Sequence, residues 1–101
     1  MKIDVESEVP VILKFGPTTT KPGIGFNTLP DGESYLWFKT ANVNDVVEVR
    51  MDDETLNSTS SIDMITCLVP KKFFIKPGDH KIYLFCPGTG LTSNTVVFSV
   101  K

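Results

Sequence analysis

Apolar and polar residues alternate in short stretches along this chain, and each stretch ends near a proline, glycine, asparagine or aspartate. Alternation with a period of two is the pattern of a β-strand with one buried face. The strands predicted on this basis are residues 9–15, 35–38, 46–51, 62–69, 81–86 and 95–100. No window has apolar residues at sustained helical spacing with a cap and a glycine stop, so we expect almost no helix.

The spacing of these strands predicts their architecture. Six or seven short strands, with turn residues about every 8–12 positions, are typical of a β-sandwich or a small barrel. Both parities are apolar in 62–69, so we expect a central strand there, whereas the charged alternate positions of 46–51 predict one wet face. A length of 101 residues fits a single domain, 1–101, with one core.

The longest irregular segment is 16–34, which contains three prolines and four glycines. We expect a broken strand within it, around Ile24–Asn27. A loop of this length in a compact domain is as often a plain connection as a binding loop. The role of the segment therefore stays open at the level of sequence.

Several motifs in the second part of the chain are similar to those of one domain family. Residues 32–43 form a glycine-led strand that ends in an Asn-aliphatic pair, and 67–70 end a strand on Val-Pro. Pro77-Gly78 precedes the strand at 81–86, and 87–100 combine a Gly-rich turn, a Ser-Asn pair and a last strand with an inward Phe and Val. Over about residues 32–101 the chain resembles the IPT/TIG family of immunoglobulin-like domains.

The resemblance implies an all-β, immunoglobulin-like sandwich of about seven antiparallel strands. It also implies protein–protein contact, adhesion or a spacer role, without enzyme activity. Within the Ser-Asn pair, we expect Asn94 to bond its own backbone and so set the register of the last strand.

Composition and charge exclude several classes of function. Hydrophobic residues are 41% and charged residues 22% of the chain, as in ordinary globular domains. The formal net charge is -2, with no basic stripe, which disfavours nucleic-acid binding, including that of a Rel-like immunoglobulin domain. No apolar run approaches the ~20 residues that a membrane helix needs, so we expect no membrane insertion.

Catalytic motifs are not apparent in the sequence. His80 is the one histidine and follows Asp79 in a predicted turn, where a solvated residue is the simplest interpretation. The chain has neither a Gly-x-Ser-x-Gly nucleophile elbow nor a phosphate-binding Gly-x-x-x-x-Gly-Lys-Ser/Thr loop. We therefore expect no enzyme, no catalytic residues and no cofactor.

Candidate ligands for two metals, zinc and calcium, occur in this sequence. Cys67, Cys86 and His80 are too few and too scattered for zinc, and no Cys-x-x-Cys pair accompanies them. Residues 52–54 (Asp-Asp-Glu) could form a calcium cage with Asp31 or Asp63, although such a cluster is more often a solvated turn that discourages pairing at a sheet edge. We expect no metal site.

The two cysteines are predicted to be free. If 62–69 and 81–86 run in opposite directions in different sheets, the heights of Cys67 and Cys86 differ by roughly 10 Å, and the sheets add about another 10 Å. A disulfide requires Cα atoms within about 7 Å of each other. Two buried thiols are favoured, which is typical of assembly in a reducing compartment.

Aromatic residues are the remaining candidates for a binding site. Tyr35 and Trp37 share one parity of their strand. We favour Trp37 as a core anchor; the alternative is that this parity faces outward and forms a stacking platform for a sugar or a protein. Phe73 and Phe74 lie in a connection, and we expect them to be partly exposed as a second contact site. Residues 57–59 fit the N-glycosylation pattern, which matters only in an exported eukaryotic protein.

These observations give two functional hypotheses. The first is a structural or adhesive module that contacts a protein partner, such as a capsid, tail or surface protein of a bacteriophage particle, which would place the chain in a virion. The second is a carbohydrate-binding or spacer domain of an extracellular multidomain protein, with a glycan as its partner. Residues 1–6 alternate polar and apolar side chains and do not resemble an export signal.

Overall fold

The computed structural model describes residues 9–43, 46–61 and 63–101. The segment on which the export-signal prediction depends, and Ile62, lie outside these ranges. Within them the chain is all-β, as predicted, and its one helical element is a 3-10 turn at Lys71–Phe73. No helix in the described ranges is both long and apolar enough to cross a membrane.

Ten strands within the described residues form two sheets. The strands are β1 (Val11–Gly16), β2 (Thr19–Thr20), β3 (Ser34–Ala41), β4 (Glu48–Met51), β5 (Glu54–Leu56), β6 (Ser58–Ser60), β7 (Met64–Val69), β8 (Gly78–Cys86), β9 (Leu91–Thr92) and β10 (Val96–Val100). The first sheet has the order β1-β3-β7-β6. The second has the order β2-β10-β8-β4-β5, with β9 paired to β8. All pairs are antiparallel except β2 with β10, which is parallel.

One hydrophobic core fills the space between the sheets. The side chains that are completely enclosed come from both sheets and are Leu36, Phe38, Val49, Met51, Ile82, Leu84 and Phe98. Each follows the period-two alternation of its strand, so the predicted wet face of β4 and the inward Phe98 and Val100 of β10 are confirmed. Burying a side chain of this size contributes about 1.5–3 kcal/mol, which makes this layer the main source of stability.

Strand β1 differs from its predicted pattern. A simple alternation would place Val11, Leu13 and Phe15 on one face, but the pairing with β3 shifts by one residue between Ile12 and Lys14. Such a bulge reverses the parity of a strand. Ile12 and Phe15 therefore pack against the core, while Leu13 is 57% exposed.

The segment 16–34 has a different structure from the one expected. Its strand is β2, at Thr19–Thr20, and the strand predicted around Ile24–Asn27 is wrong. The side chain of Phe26 is instead buried in the hydrophobic core. Its ring centre lies 5.1 Å from that of Phe74 and 5.1 Å from that of Phe98. The Phe26 N–H donates to Ser34 Oγ (3.1 Å), which holds the loop against the start of β3.

The Ser-Asn pair before β10 connects the two sheets. Asn94 accepts a hydrogen bond at Oδ1 from the Ile12 N–H (2.8 Å) and donates from Nδ2 to the Ile12 carbonyl (3.1 Å). Ser93 Oγ accepts from the Leu84 N–H (2.8 Å) and donates to the Asn94 carbonyl (2.8 Å). The prediction that Asn94 bonds its own backbone is therefore wrong, because the side chain reaches a residue far away in sequence instead.

Replacing Asn94 by alanine tests this connection. The Asn94→Ala variant leaves the N–H and the carbonyl of Ile12 without these partners, and we expect the free energy of unfolding to fall by about 1–3 kcal/mol. Thr95→Ala is the matched control, since Thr95 is exposed and adjacent, and should change stability by less than about 0.5 kcal/mol. Urea unfolding measures both variants. Equal midpoints for the two would contradict the assigned role of Asn94.

Candidate binding surface

Tyr35 and Trp37 lie on the outer face of the first sheet. Both are half-buried, whereas Leu36 and Phe38 point into the core and have no exposed surface. The interpretation of Trp37 as a core anchor is therefore wrong, and the outward parity is the one observed. This orientation has a physical reason. The side chains of Leu36 and Phe38 carry no polar atom, whereas a buried Trp37 indole would need a hydrogen-bond partner for its N–H.

The indole of Trp37 packs over Gly16. The two residues are opposite each other in the pairing of β3 with β1. A Cβ atom added to Gly16 would lie 2.7 Å from Trp37 Cζ2 and 2.9 Å from Cε2, so only glycine leaves room for the ring in this position. The contact fixes where Trp37 lies on the outer face, which is the pre-organisation that an aromatic contact residue requires.

A groove of about 330 Å³ borders the same face. Tyr35 lies on one side of it, with Leu68 opposite Tyr35 in β7. Polar lining comes from Asn57, Thr59 and Thr66. An aromatic ring beside hydroxyl and amide groups can bind a polar peptide or a sugar through stacking and hydrogen bonds.

Phe73 and Phe74 do not belong to this surface. They are 7% and 5% exposed, so the expectation of a partly exposed contact site is wrong. The 3-10 turn directs both rings inward, where Phe74 packs on Phe26 and Phe73 packs edge-on against His80 at 5.6 Å between ring centres. The two residues are part of the core, and the neighbouring Ile75 is the hydrophobic residue of this segment that is exposed.

His80 and the acidic turn form a structural cluster. His80 lies in β8 rather than in a turn, as had been predicted, and its Nδ1 is 2.6 Å from Asp52 Oδ2. Asp52 Oδ1 accepts from the Lys81 N–H (3.0 Å), and Asp53 Oδ1 accepts from the Tyr83 hydroxyl (2.9 Å). Positive φ angles of 51° and 68° at Asp52 and Asp53 fit a two-residue hairpin turn of type I′. The two aspartates thus attach the β4–β5 hairpin to β8.

Across the described ranges, no group of three or more histidine, cysteine, aspartate or glutamate side chains is close enough to hold a metal ion. The third acidic residue of the turn, Glu54, pairs with Lys72 at 2.7 Å instead.

The outer face of the second sheet has a polar and aromatic cluster that sequence reasoning missed. The Arg50 guanidinium lies 4.3 Å from the centre of the Phe85 ring and 2.9 Å from Glu48 Oε1. The hydrogen bond to Glu48, which has the larger effect, and a hydrogen bond to Tyr83 both raise the pKa of Arg50. The sequence pattern could have indicated this cluster. Alternation places residues 48 and 50 on the solvent-facing side of β4, and residues 83 and 85 on the solvent-facing side of β8.

Both cysteines are buried and unpaired, as predicted. Cys67 faces the core from β7, opposite Leu36 in β3. Burial raises the pKa of its thiol to about 12. A thiol that stays protonated and enclosed is a poor nucleophile and a poor metal ligand, so Cys67 acts as a small apolar core residue.

Gly16→Ala tests whether Gly16 supports Trp37. The new methyl group must displace the indole, which we expect to lower the free energy of unfolding by about 1–3 kcal/mol. Trp37 is the one tryptophan of the chain, so its fluorescence reports the displacement directly. In a Trp37→Val background the same substitution should cost much less, and an equal cost in both backgrounds would contradict the contact.

The pH dependence of stability tests the environment of Cys67. The thiol ionises near pH 9.0 when exposed but only near 12 in the folded chain. Unfolding therefore releases a proton above pH 9, and this thiol's stabilising contribution falls by about 1 kcal/mol per pH unit as pH rises from about 9 to 12. The Cys67→Ala variant should lose this part of the slope. Identical slopes for the variant and the native chain would refute the assignment.

Comparison with known proteins leaves the family of this chain open. No family model matches the sequence, and a search of curated proteins finds no match either. Its function therefore has to be inferred from the surfaces described above.

Proposed function

We propose that this chain is a non-enzymatic, immunoglobulin-like module that contacts another protein as a structural or adhesive subunit. The observation that carries the proposal is the outward pair Tyr35 and Trp37, held on a rigid strand with Trp37 packed over Gly16. Aromatic residues in fixed positions dominate the energetics of many protein interfaces, because little side-chain entropy is lost when a partner covers them.

The strand order supports the immunoglobulin-like part of the proposal. Immunoglobulin domains have strands A, B, E and D in one sheet and G, F and C in the other, with C′ added in the variable type. The orders β1-β3-β7-β6 and β10-β8-β4-β5 fit this arrangement when the strands are lettered along the chain. The short strands β2 and β9 are additions beside β10 and β8.

The non-enzymatic part is supported by how the titratable side chains are used. His80, Asp52 and Asp53 are engaged in bonds that attach one hairpin to β8. The groups that could have served as a base and its orienting acid therefore have structural partners. They also belong to the second sheet, whereas Tyr35 and Trp37 belong to the first.

The partner class is a capsid, tail or surface protein of a particle assembled in the cytosol. Support comes from the two buried thiols, which are unpaired, since disulfides are the usual stabiliser of small exported domains. On this proposal the chain is located in a virion, where Tyr35 and Trp37 would lie in the contact with the partner.

A carbohydrate is the second candidate ligand. The groove beside Tyr35 favours it, because its volume of about 330 Å³ and its lining by Asn57, Thr59 and Thr66 provide hydrogen-bond partners next to a stacking ring. In that case the chain would be a binding or spacer domain of a larger extracellular protein.

Two binding assays separate the candidates: one with virus particles from the organism that produces this chain, and one with a glycan array. The protein-contact proposal predicts binding to particles, and a loss of about tenfold or more in affinity for Tyr35→Ala. Val97→Ala is the matched control, since Val97 is 45% exposed in β10 of the opposite sheet. A change in Trp37 fluorescence on binding would place the partner at this face.

Two other outcomes of these assays would change the proposal. Binding to glycans alone, weakened by Tyr35→Ala, would replace the first proposal by the second. Binding to particles that is lost in Val97→Ala and unchanged in Tyr35→Ala would contradict the assigned surface.

A further inference from the structure

Among the residues that the structure describes, strand β6 has no neighbouring strand on its outer side and so forms an edge of the first sheet. All three of its residues, Ser58–Ser60, are exposed, and β6 is the terminal strand of the sheet order. The Leu68 N–H donates to the Asn57 carbonyl (2.9 Å), and the Ser61 N–H donates to the Met64 carbonyl (2.8 Å). Backbone groups of alternate residues point to opposite sides of an antiparallel strand. Residues 57, 59 and 61 therefore bond to β7, and Ser58 and Ser60 direct their N–H and carbonyl groups away from the sheet.

The strands at the other three ends of the two sheet orders, β1, β5 and β2, have features that hinder pairing with another strand. On β1, Asn94 occupies the N–H and the carbonyl of Ile12. Strand β5 has the charged Glu54, and β2 lies between Pro17 and Pro22. Charges, prolines and side-chain cover are the usual means of protecting an edge. Within β6 there is no charge, no proline and no side-chain cover of this kind.

We infer that β6 pairs with β6 of a second copy of this chain. The outward backbone groups of Ser58 and Ser60 are placed symmetrically about Thr59. An antiparallel pair with its two-fold axis at Thr59 therefore places Ser58 opposite Ser60 of the second copy. The outward N–H and carbonyl groups then form four hydrogen bonds. Thr59 lies opposite its own copy, a cross-strand pair that is favourable and free of charge repulsion.

The pairing joins two sheets of four strands into one sheet of eight. A two-fold axis perpendicular to the sheet keeps both outer faces on the same side. The two copies of β3 would be five strand spacings apart, about 24 Å, so a dimer would present Tyr35 and Trp37 twice to a repetitive partner. This bivalence rests on the proposed function, whereas the pairing itself does not.

Sedimentation velocity on the full chain, from about 10 μM to about 1 mM, tests the pairing. We expect the average mass to rise from 11.2 kDa towards twice that value. Thr59→Lys places two ammonium groups opposite each other and should weaken the dimer about tenfold or more. Thr55→Lys is the matched control, because it adds the same charge to an exposed position of the β5 edge, and it should leave the dimer unchanged.

Cross-linking locates the two-fold axis independently of stability. In a non-hydrogen-bonded pair the Cα atoms are about 4.5 Å apart, a distance that a disulfide can bridge. Thr59→Cys should therefore form a disulfide-linked dimer under mild oxidation at least about ten times faster than Thr55→Cys. The native thiols are buried and do not compete.

Amide exchange identifies the paired edge. Protection of the Ser58 and Ser60 N–H groups should rise with chain concentration, whereas that of Thr59, which bonds to β7, should not. Three results would overturn the inference: a monomer at every concentration, a dimer that Thr59→Lys leaves unchanged, or protection of Ser58 and Ser60 that appears only when a different protein is added. None of them bears on the contact of Tyr35 with a partner, which the binding assays test separately.

Discussion

The enclosure of Leu36 and Phe38 between the sheets is the constraint on which the rest of the structure depends. A strand alternates its side chains with a period of two, so turning these two residues inward necessarily turns Tyr35 and Trp37 outward. Phe38 stacks with Phe15 from β1 at 5.8 Å between ring centres, so the position of the bulge in β1 is coupled to the same choice. That bulge also brings Gly16, rather than a residue with a side chain, beneath the indole of Trp37. The core and the candidate binding surface are therefore two consequences of one register.

The sequence was a good guide where the two parities of a strand differ and a poor guide where they do not. In β4, Val49 and Met51 alternate with Glu48 and Arg50, so the inward face could be predicted, and the structure confirms it. In β3, Tyr-Leu-Trp-Phe is apolar or aromatic on both parities, and only the packing against other strands decides between them. For the same reason the sequence identified Tyr35 and Trp37 as candidate contact residues but did not predict that they face outward. The cluster of Arg50 and Phe85 needed the pairing of β4 with β8, which no local pattern provides.

Phe73, Phe74 and Asn94 illustrate a second limit, since their roles depend on distant residues. The two phenylalanines follow Pro-Lys-Lys in a connection, a context in which exposed side chains are common, but a 3-10 turn directs them onto Phe26 and His80. Asn94 was assigned a local bond on the basis of its residue type, yet it bonds to Ile12, 82 positions earlier in the chain. Side chains that fill a gap or satisfy a strand edge are selected by tertiary contacts, so propensity alone cannot place them.

The bonds between Asn94 and Ile12 also explain why the two edges of the first sheet differ. In an antiparallel strand, a residue whose N–H and carbonyl face outward needs a partner or water for both groups. The amide of Asn94 supplies a donor and an acceptor on one side chain, and so it protects β1 in the way that a further strand would. At β6 the corresponding groups belong to Ser58 and Ser60, on a short strand without charge or proline, and the groove beside Tyr35 opens next to them. Among the described residues, side-chain cover therefore protects the β1 edge of the first sheet and not the β6 edge. A second copy paired with β6 would lie on the side of the sheet that borders the groove beside Tyr35.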